Sequence, residues 1–342
     1  ALCRKPCCKE GQSPLIAPAW QPLGSLGGAY FCLFVCVCVC VCVRVCFCVC
    51  VCVFVCVRLC LAWAIWDAAS PLECAMGGSE KMVSKAKALK GRKEKMRISK
   101  HHYVLGNPME GPWPAAMRVL VMASGCFWGS EKGAWRLPGG GIHSTAVGYA
   151  AGFTPNPTYE EVSSGRTGST EAVQIVFDPE KISTADILRW FWESHDPTQG
   201  MGQGNDRGTM YRSGLYYFDD EQRKLFEASK AAYHEALRDA GRGWGNVTTE
   251  IRAAVDYDQV FYYAEDYHQQ YLAKPGSRPY CSAQPQEVSL PPYAEWAPAD
   301  FSEEVRDHHA PKLPEGFWEE HGPTPHCVIR APHSPIEWPI LS

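Results

Sequence analysis

One cysteine in the middle of the chain stands in surroundings suited to thiol chemistry. Ser124-Gly125-Cys126-Phe127-Trp128-Gly129 follows an apolar run, and Glu131, Lys132, Ala134 and Trp135 continue it as a helical pattern. That order seats the thiol at a helix N-terminus, where unpaired N–H groups and the positive end of the helix dipole favour the thiolate. Gly125 carries no side chain and so leaves a ligand room beside the sulfur. Phe127 and Trp128 are placed to wall an apolar slot. The competing reading is a buried structural cysteine, which most free cysteines are.

Three polar clusters accompany it. Asn156-Pro157-Thr158-Tyr159-Glu160 is a turn signal that carries a phenol. Ser169-Thr170-Glu171-Ala172-Val173 puts a carboxyl group at the mouth of a strand. The glycine-punctuated stretch from Gln203 to Ser213 holds Asp206, Tyr211 and Arg212. Taken singly each is a surface turn or a strand end. Taken together they offer a thiol, carboxyl groups and phenols on loops near strand ends, where sites commonly form.

The elements that must position these groups are legible from periodicity. Met117–Ala123 reads as a buried strand, Cys126–Trp135 as a short helix, and Ser144–Tyr149 and Ala172–Phe177 as further strands. Ser183 or Thr184 caps a helix through Ile187, Leu188, Phe191 and Trp192. Ser213–Phe218 is again a strand. Asp219 or Asp220 opens the longest helix, with Leu225, Ala228, Ala232, Ala236 and Leu237 on one face, ending before Gly241. Thr249–Ala253 returns as strand, and Ala264–Leu272 reads as a last short helix. The expected architecture is α+β, a two-layer sandwich with a mixed sheet of the ferredoxin-like kind, with long irregular N- and C-terminal extensions.

Outside this body the composition changes. Of 18 cysteines, 15 lie in the first 74 residues, and only Cys126, Cys281 and Cys327 follow. The body has too few partners for a secreted disulfide framework, so a reducing compartment is expected, cytoplasmic or organellar (plastid or mitochondrion). Phe31–Cys60 is nearly a Val-Cys alternation broken by Arg44 and Arg58. It is long enough for a membrane helix, but an arginine near its middle is costly there. As a strand it is aggregation-prone. Strict two-residue repetition favours low complexity over a membrane anchor. The division expected is a Val/Cys-rich segment over 1–75, a basic linker over 76–114, a catalytic body over 115–275 and a Pro-rich extension over 276–342. The basic run from Lys81 to Lys100 suits a solvated linker or part of a transit peptide. The last 68 residues hold 13 of the 26 prolines together with several aromatics, which suggests an extended arm wrapped on the body. A net charge of −4 gives no reason to expect nucleic acid as partner.

Gly125-Cys126-Phe127-Trp128-Gly129, Gly148-Tyr149 to Asn156-Pro157-Thr158-Tyr159, Thr170-Glu171-Ala172-Val173, His195-Asp196-Pro197-Thr198-Gln199 through Arg212-Ser213, and Ala264-Glu265-Asp266-Tyr267-His268-Gln269-Gln270-Tyr271-Leu272 together resemble the peptide-methionine (S)-S-oxide reductases of the A type. The stretches occur in that family's order and spacing, from about Met117 to Cys281. The resemblance implies thiol-dependent reduction of methionine S-sulfoxide, an antioxidant protein repair, with no metal and no bound cofactor. It makes Cys126 the nucleophile and Glu171 the acid that protonates the sulfoxide oxygen. Tyr159, Asp206 and Tyr211 would hold that oxygen and a water, and Phe127 with Trp128 would receive the substrate methyl.

The family's first resolving cysteine falls at Cys281, with thioredoxin or a similar dithiol as the implied reductant. No second cysteine follows in a short glycine-rich loop. Cys327, 46 residues on, is a second recycling thiol or a bystander. Ala151, where the family often has glycine, and Ser163, where some members have cysteine, are smaller departures. The substrate is methionine sulfoxide, free or in proteins, and a monomer away from membranes is expected. A cysteine hydrolase using His195 or His268 as base is the rival from another class. A zinc site from Cys281, His308, His309, His326 and Cys327 is weaker, because the spacing is loose.

Overall fold

The computed structural model describes residues 80–322 and 325–338, the side chains of residues 325–327 excepted. The Val-Cys run therefore lies outside the described residues, as does the side chain of Cys327. Among the described residues no helix is long and apolar enough to cross a membrane.

Alternating apolar residues decide where the main sheet sits. Its strands are Arg118–Ser124 (β1), Ile142–Ala150 (β2), Thr170–Phe177 (β3), Ser213–Tyr217 (β6), Glu250–Ala253 (β7) and Phe261–Tyr263 (β8), with a two-residue hairpin of Gly202–Gln203 (β4) and Asp206–Arg207 (β5) apart from them. The order across the sheet is β7-β6-β1-β3-β2-β8, and every pair is antiparallel except β6 with β7. It is a mixed α/β arrangement on a six-stranded sheet. Leu120 and Met122 of β1 face a large core shared with Val147, Val173 and Ile175. Val121 and Ala123 face a smaller one with Ala146, Ala172 and Tyr216, as a period of two requires.

Helices Phe127–Trp135 (α1), Thr184–Glu193 (α3) and Asp220–Asp239 (α4) supply the large core with Phe127, Ala134, Leu188, Trp192, Phe226 and Tyr233, each 1% exposed or less. Ser183 caps α3 through a reciprocal box with Asp186, and Asp219 caps α4 on the Gln222 N–H. On α4 the buried row is Leu225, Phe226, Ser229, Tyr233 and Leu237. Ala228 and Ala232 are only partly buried beside it. The expected row was thus turned by about one position, because the aromatic rings bring more apolar area to the core than the alanines do.

Three other expectations change. Asn156 takes a positive φ of 45°, and Thr158 then caps a short helix, Tyr159–Ser163 (α2), instead of ending in a plain turn. Ala264–Leu272 does not form a helix. It runs as turns through Gln270, whose φ of 46° breaks helical geometry, into a single 3-10 turn, Tyr271–Ala273. Polar side chains there bind the body backbone: Gln269 pairs with both Val147 N–H and C=O, and Gln270 donates to Glu131. The described part of the basic segment is not a free linker either. Its Met109 and His102 are buried, and Arg92 pairs with Glu161 at 2.7 Å.

The C-terminal arm is built of short helices, Tyr293–Trp296 (α5), Glu303–His309 (α6), Glu315–His321 (α7) and Pro325–Arg330 (α8), instead of extended chain. Buried Leu290, Trp296, Leu313, Phe317 and Trp318 join the large core. Asp186 accepts the N–H groups of Lys312 and Leu313, and Arg189 grips Glu315 with two bonds at 2.5 and 2.7 Å beneath the Trp318 ring.

Ala151, at the end of β2, sits in the left-handed region with φ 52° and is 3% exposed. A Cβ there costs roughly 1–2 kcal/mol. Ala151→Gly is expected to raise unfolding stability by about 1 kcal/mol, after the extra entropy of the unfolded glycine is subtracted. Urea unfolding monitored by tryptophan fluorescence checks this, and a lower midpoint would refute it.

Candidate active site

Antiparallel pairing brings the ends of four strands to one edge of the sheet. β1 leads out through Gly125 to Cys126, while β3 and β6 begin there, with Ser124 opposite Ser213 and Tyr149 opposite Glu171. Cys126 is therefore set beside Glu171 and close to Tyr211 by strand register alone. The structure also brings Tyr159, Asp206 and Cys281 to this edge, since each acts electrostatically on its neighbours in the group.

Cys126 is the N-cap of α1, half-buried and free. The first N–H of the helix, on Phe127, donates to Glu171 Oε2 at 2.9 Å, and the next, on Trp128, favours the sulfur's anion. The thiol is nevertheless held well above its ordinary pKa. Burial is the main cause, the Glu171 and Asp206 carboxyl groups add to it, and one backbone N–H does not outweigh them. The expectation that the helix end alone would make a thiolate is corrected. Glu171, 2% exposed, is likewise pushed well above the carboxylate range by burial, against the Phe127 N–H and with Asp206 adding to the rise. Burial thus favours the protonated form of both groups.

The phenols follow the same rule. Burial, then Glu171, pushes Tyr159 up to about 12, while a hydrogen bond from Tyr211 works the other way. Tyr211 is raised by burial and by Glu171 as well. Both remain hydroxyl donors across the working range. Tyr159 is positioned through Glu265, which accepts from its N–H at 2.8 Å and from the Tyr149 hydroxyl at 2.7 Å.

Phe127 is 1% exposed and packs into the core against Tyr149, whereas Trp128 stays half-buried, stacked on Tyr271 with ring centres 4.0 Å apart. The Trp128 indole N–H donates to His268 Nδ1 at 3.1 Å, so the neutral imidazole carries its proton on Nε2. Burial lowers His268 to about 4. His195 is also near 4 by burial, with both ring nitrogens engaged, by the Phe191 carbonyl and the Ser213 hydroxyl. Neither histidine is a free base, which removes the hydrolase reading. Among the described residues no three metal-binding side chains converge.

Gly125 has a different purpose from the one expected. Its φ is +90°, and a Cβ there would lie 2.6 Å from Gln203 Cβ. The space is filled by Gln203, not left for a ligand. Cys281 Sγ rests on α1, 2.9 Å from where a Cβ of Gly129 would be. Asp206 accepts from the Tyr280 hydroxyl at 2.6 Å and from the Ser282 hydroxyl. Sequence reasoning missed Gln203, Glu265 and Ser282. Only the glycines on either side of Gln203 hinted that its loop is closely packed.

Residues 118–294 match the family model described as peptide methionine sulfoxide reductase. The chain belongs to the peptide methionine sulfoxide reductase family. It is 50% identical over 215 residues to peptide methionine sulfoxide reductase MsrA 1 of Synechocystis, covering 63% of this chain and 93% of that protein. It is 54% identical over 205 residues to the MsrA of Azorhizobium caulinodans, covering 60% and 89%. The solved structure of methionine sulfoxide reductase A of Corynebacterium diphtheriae superposes with a TM-score of 0.53 at 37% identity, covering 60% and 99%. As a member of that family the chain is an oxidoreductase that reduces methionine sulfoxide with a thiol.

Gly125→Ala is expected to cut reductase kcat/KM at least about 10-fold and to lower Tm, because the turn must open against Gln203. Steady-state kinetics and a thermal melt check this. Wild-type activity in the variant would show that the turn does not set the thiol.

Proposed function

We propose that Cys126 attacks the sulfur of a methionine S-sulfoxide while Glu171 protonates its oxygen, with release of methionine and a sulfenic acid left on Cys126. The oxygen leaves the substrate sulfur for Cys126, and the thiol's own proton balances the one that Glu171 gives and regains. The observation that carries this reading is the shared burial of thiol and carboxyl, joined through the Phe127 N–H to Glu171 bond. A sulfoxide oxygen is a poor leaving group, so a carboxyl that keeps its proton at neutral pH is what the step requires. Tyr159 and Tyr211, kept as phenols, and Asp206 would hold the oxygen and a water. Trp128, with Phe127 beneath, would take the methyl group.

Cys281 then closes a disulfide with Cys126, and thioredoxin or a similar dithiol reopens it. Support comes from its seat on the first turn of α1. Cys327 is a further recycling thiol in this reading only if Cys281 proves dispensable. The whole site lies in one chain, so a monomer suffices. The central strands β1, β2, β3 and β6, with α1 and α3 between them, read as the ferredoxin-like β-α-β-β-α-β unit. The catalytic unit then spans residues 115–275, with the resolver on the extension that follows, and free thiols of this kind suit a cytoplasmic or organellar compartment.

Cys126→Ser is expected to abolish methionine release, and Glu171→Gln to slow the first step by ~10²–10⁴. Cys281→Ser should release one equivalent of methionine and then stall with thioredoxin. Single-turnover release assays distinguish these outcomes, and normal thioredoxin turnover by Cys281→Ser would promote Cys327. The pH dependence has a definite sign. The reactive form holds the carboxyl proton, so the first-step rate falls as pH rises through the raised Glu171 pKa. That falling limb is therefore expected above the ordinary carboxylate value of about 4.3. A limb at that ordinary value would contradict a buried, protonated acid.

A further inference from the structure

The resolving cysteine is gripped from both sides by one carboxylate. Asp206 Oδ1 accepts from the hydroxyl of Tyr280, the residue before Cys281, at 2.6 Å, and Oδ2 accepts from Ser282, the residue after it. The surrounding loop adds further ties. Gln203 Oε1 accepts the N–H of Gln284 at 3.0 Å, and Gln199 Nε2 donates to Gln284 Oε1 at 2.8 Å. Gly204 lies so close to the Ser282 carbonyl that a Cβ would be 2.0 Å from its oxygen. The same Gln203 side chain fills the space beside Gly125. One loop thus touches the residue before the nucleophile and the residues around the resolver.

Residues 278–286 have no ladder or helical bonds of their own to fix them. Holding both neighbours of Cys281 sets the rotation of this stretch about its axis, and with it the direction of the Cβ–Sγ bond. That direction is onto α1 at Gly129. Hydrogen bonds to a carboxylate are about twice as strong as neutral ones. Keeping a reactant in place in advance is worth much of the barrier in an intramolecular step.

We infer that Ser282, through its hydroxyl bond to Asp206, is a positioning residue that holds the Cys281 thiol ready to close the disulfide. The inference rests on the proposed roles of Cys126 and Cys281. In the step concerned, Cys281 sulfur attacks the Cys126 sulfenic sulfur, an S–S bond forms and the S–O bond breaks. The hydroxyl leaves as water with the Cys281 thiol proton. Cys281 is oxidised and Cys126 is reduced, so no outside oxidant is needed.

The test is a single turnover of the reduced full chain with methionine sulfoxide, quenched over time. Methionine release is measured by chromatography, and the state of Cys126 and Cys281 by mass after trapping with a 1,3-dione. Ser282→Ala is expected to release methionine at the wild-type rate but to close the disulfide about 10-fold more slowly, with trappable sulfenic acid accumulating. Ser282→Thr, which keeps a hydroxyl, should restore closure. The unchanged first step in Ser282→Ala shows that the variant is folded. Closure at the wild-type rate in Ser282→Ala, equal slowing in Ser282→Thr, or a slowed first step would each overturn the inference. So would a wild-type chain that releases methionine without a Cys126–Cys281 disulfide. A wild-type chain that releases no methionine would instead bring down the proposed function.

Discussion

The bond on which the site depends is the one from the Phe127 N–H to Glu171 Oε2. It occupies the first unpaired donor of the nucleophile's helix with the side chain of the neighbouring strand. Two long-range facts make it possible. β1 and β3 are antiparallel partners, so the end of one meets the start of the other, and Gly125 turns the chain sharply between strand and helix. Once made, the bond fixes the carboxyl relative to the sulfur at the cost of burying it. Burial without a positive partner is what raises its pKa.

The same burial acts against the nucleophile. A thiol at a helix end ordinarily gains acidity, but here two carboxyl groups and a dry seat reverse that. Burial therefore favours the protonated form of thiol and acid alike in the free protein. A bound sulfoxide, whose oxygen is a strong acceptor, is what draws the acid's proton away and lets the thiol's follow. Reactivity is tied to occupancy of the site, and an idle thiol is spared adventitious oxidation, since the thiolate is the form that oxidises.

Much of this was legible in the sequence, for identifiable reasons. Period-two and helical patterns located β1, β2, β3, α3 and α4, because one face of each must be apolar. The groups that gather around Cys126 were named from local motifs, each placed beside a glycine turn or a strand end. What was not legible depends on tertiary partners. Ala264–Leu272 has helical composition, yet Gln269 and Gln270 gain more by completing the buried bonds of Val147 and Glu131 than a short helix would offer. Gln203 looks like a loop residue until its packing against Gly125 is seen. The sign of the Cys126 shift could not be read either, since it depends on carboxyl groups distant in sequence.

The arm beyond residue 286 shows how an extension becomes part of the catalytic frame. Proline excludes long helices there, but its aromatic residues still have to leave water, and they do so as short helices packed into the large core. From α7 the chain returns to the nucleophile's own helix. Lys132 of α1, wholly buried, donates to the carbonyls of Ile329 and Ala331 at the end of α8, and the Trp135 indole donates to the His333 carbonyl at 2.8 Å. A cation at a helix C-terminus is favourably placed, but burial still pulls the Lys132 pKa down to about 8. An ammonium kept dry needs its carbonyl partners, so the arm and α1 hold each other in place. The helix that presents Cys126 is thereby braced at its first turn by Glu171 and along its length by the arm.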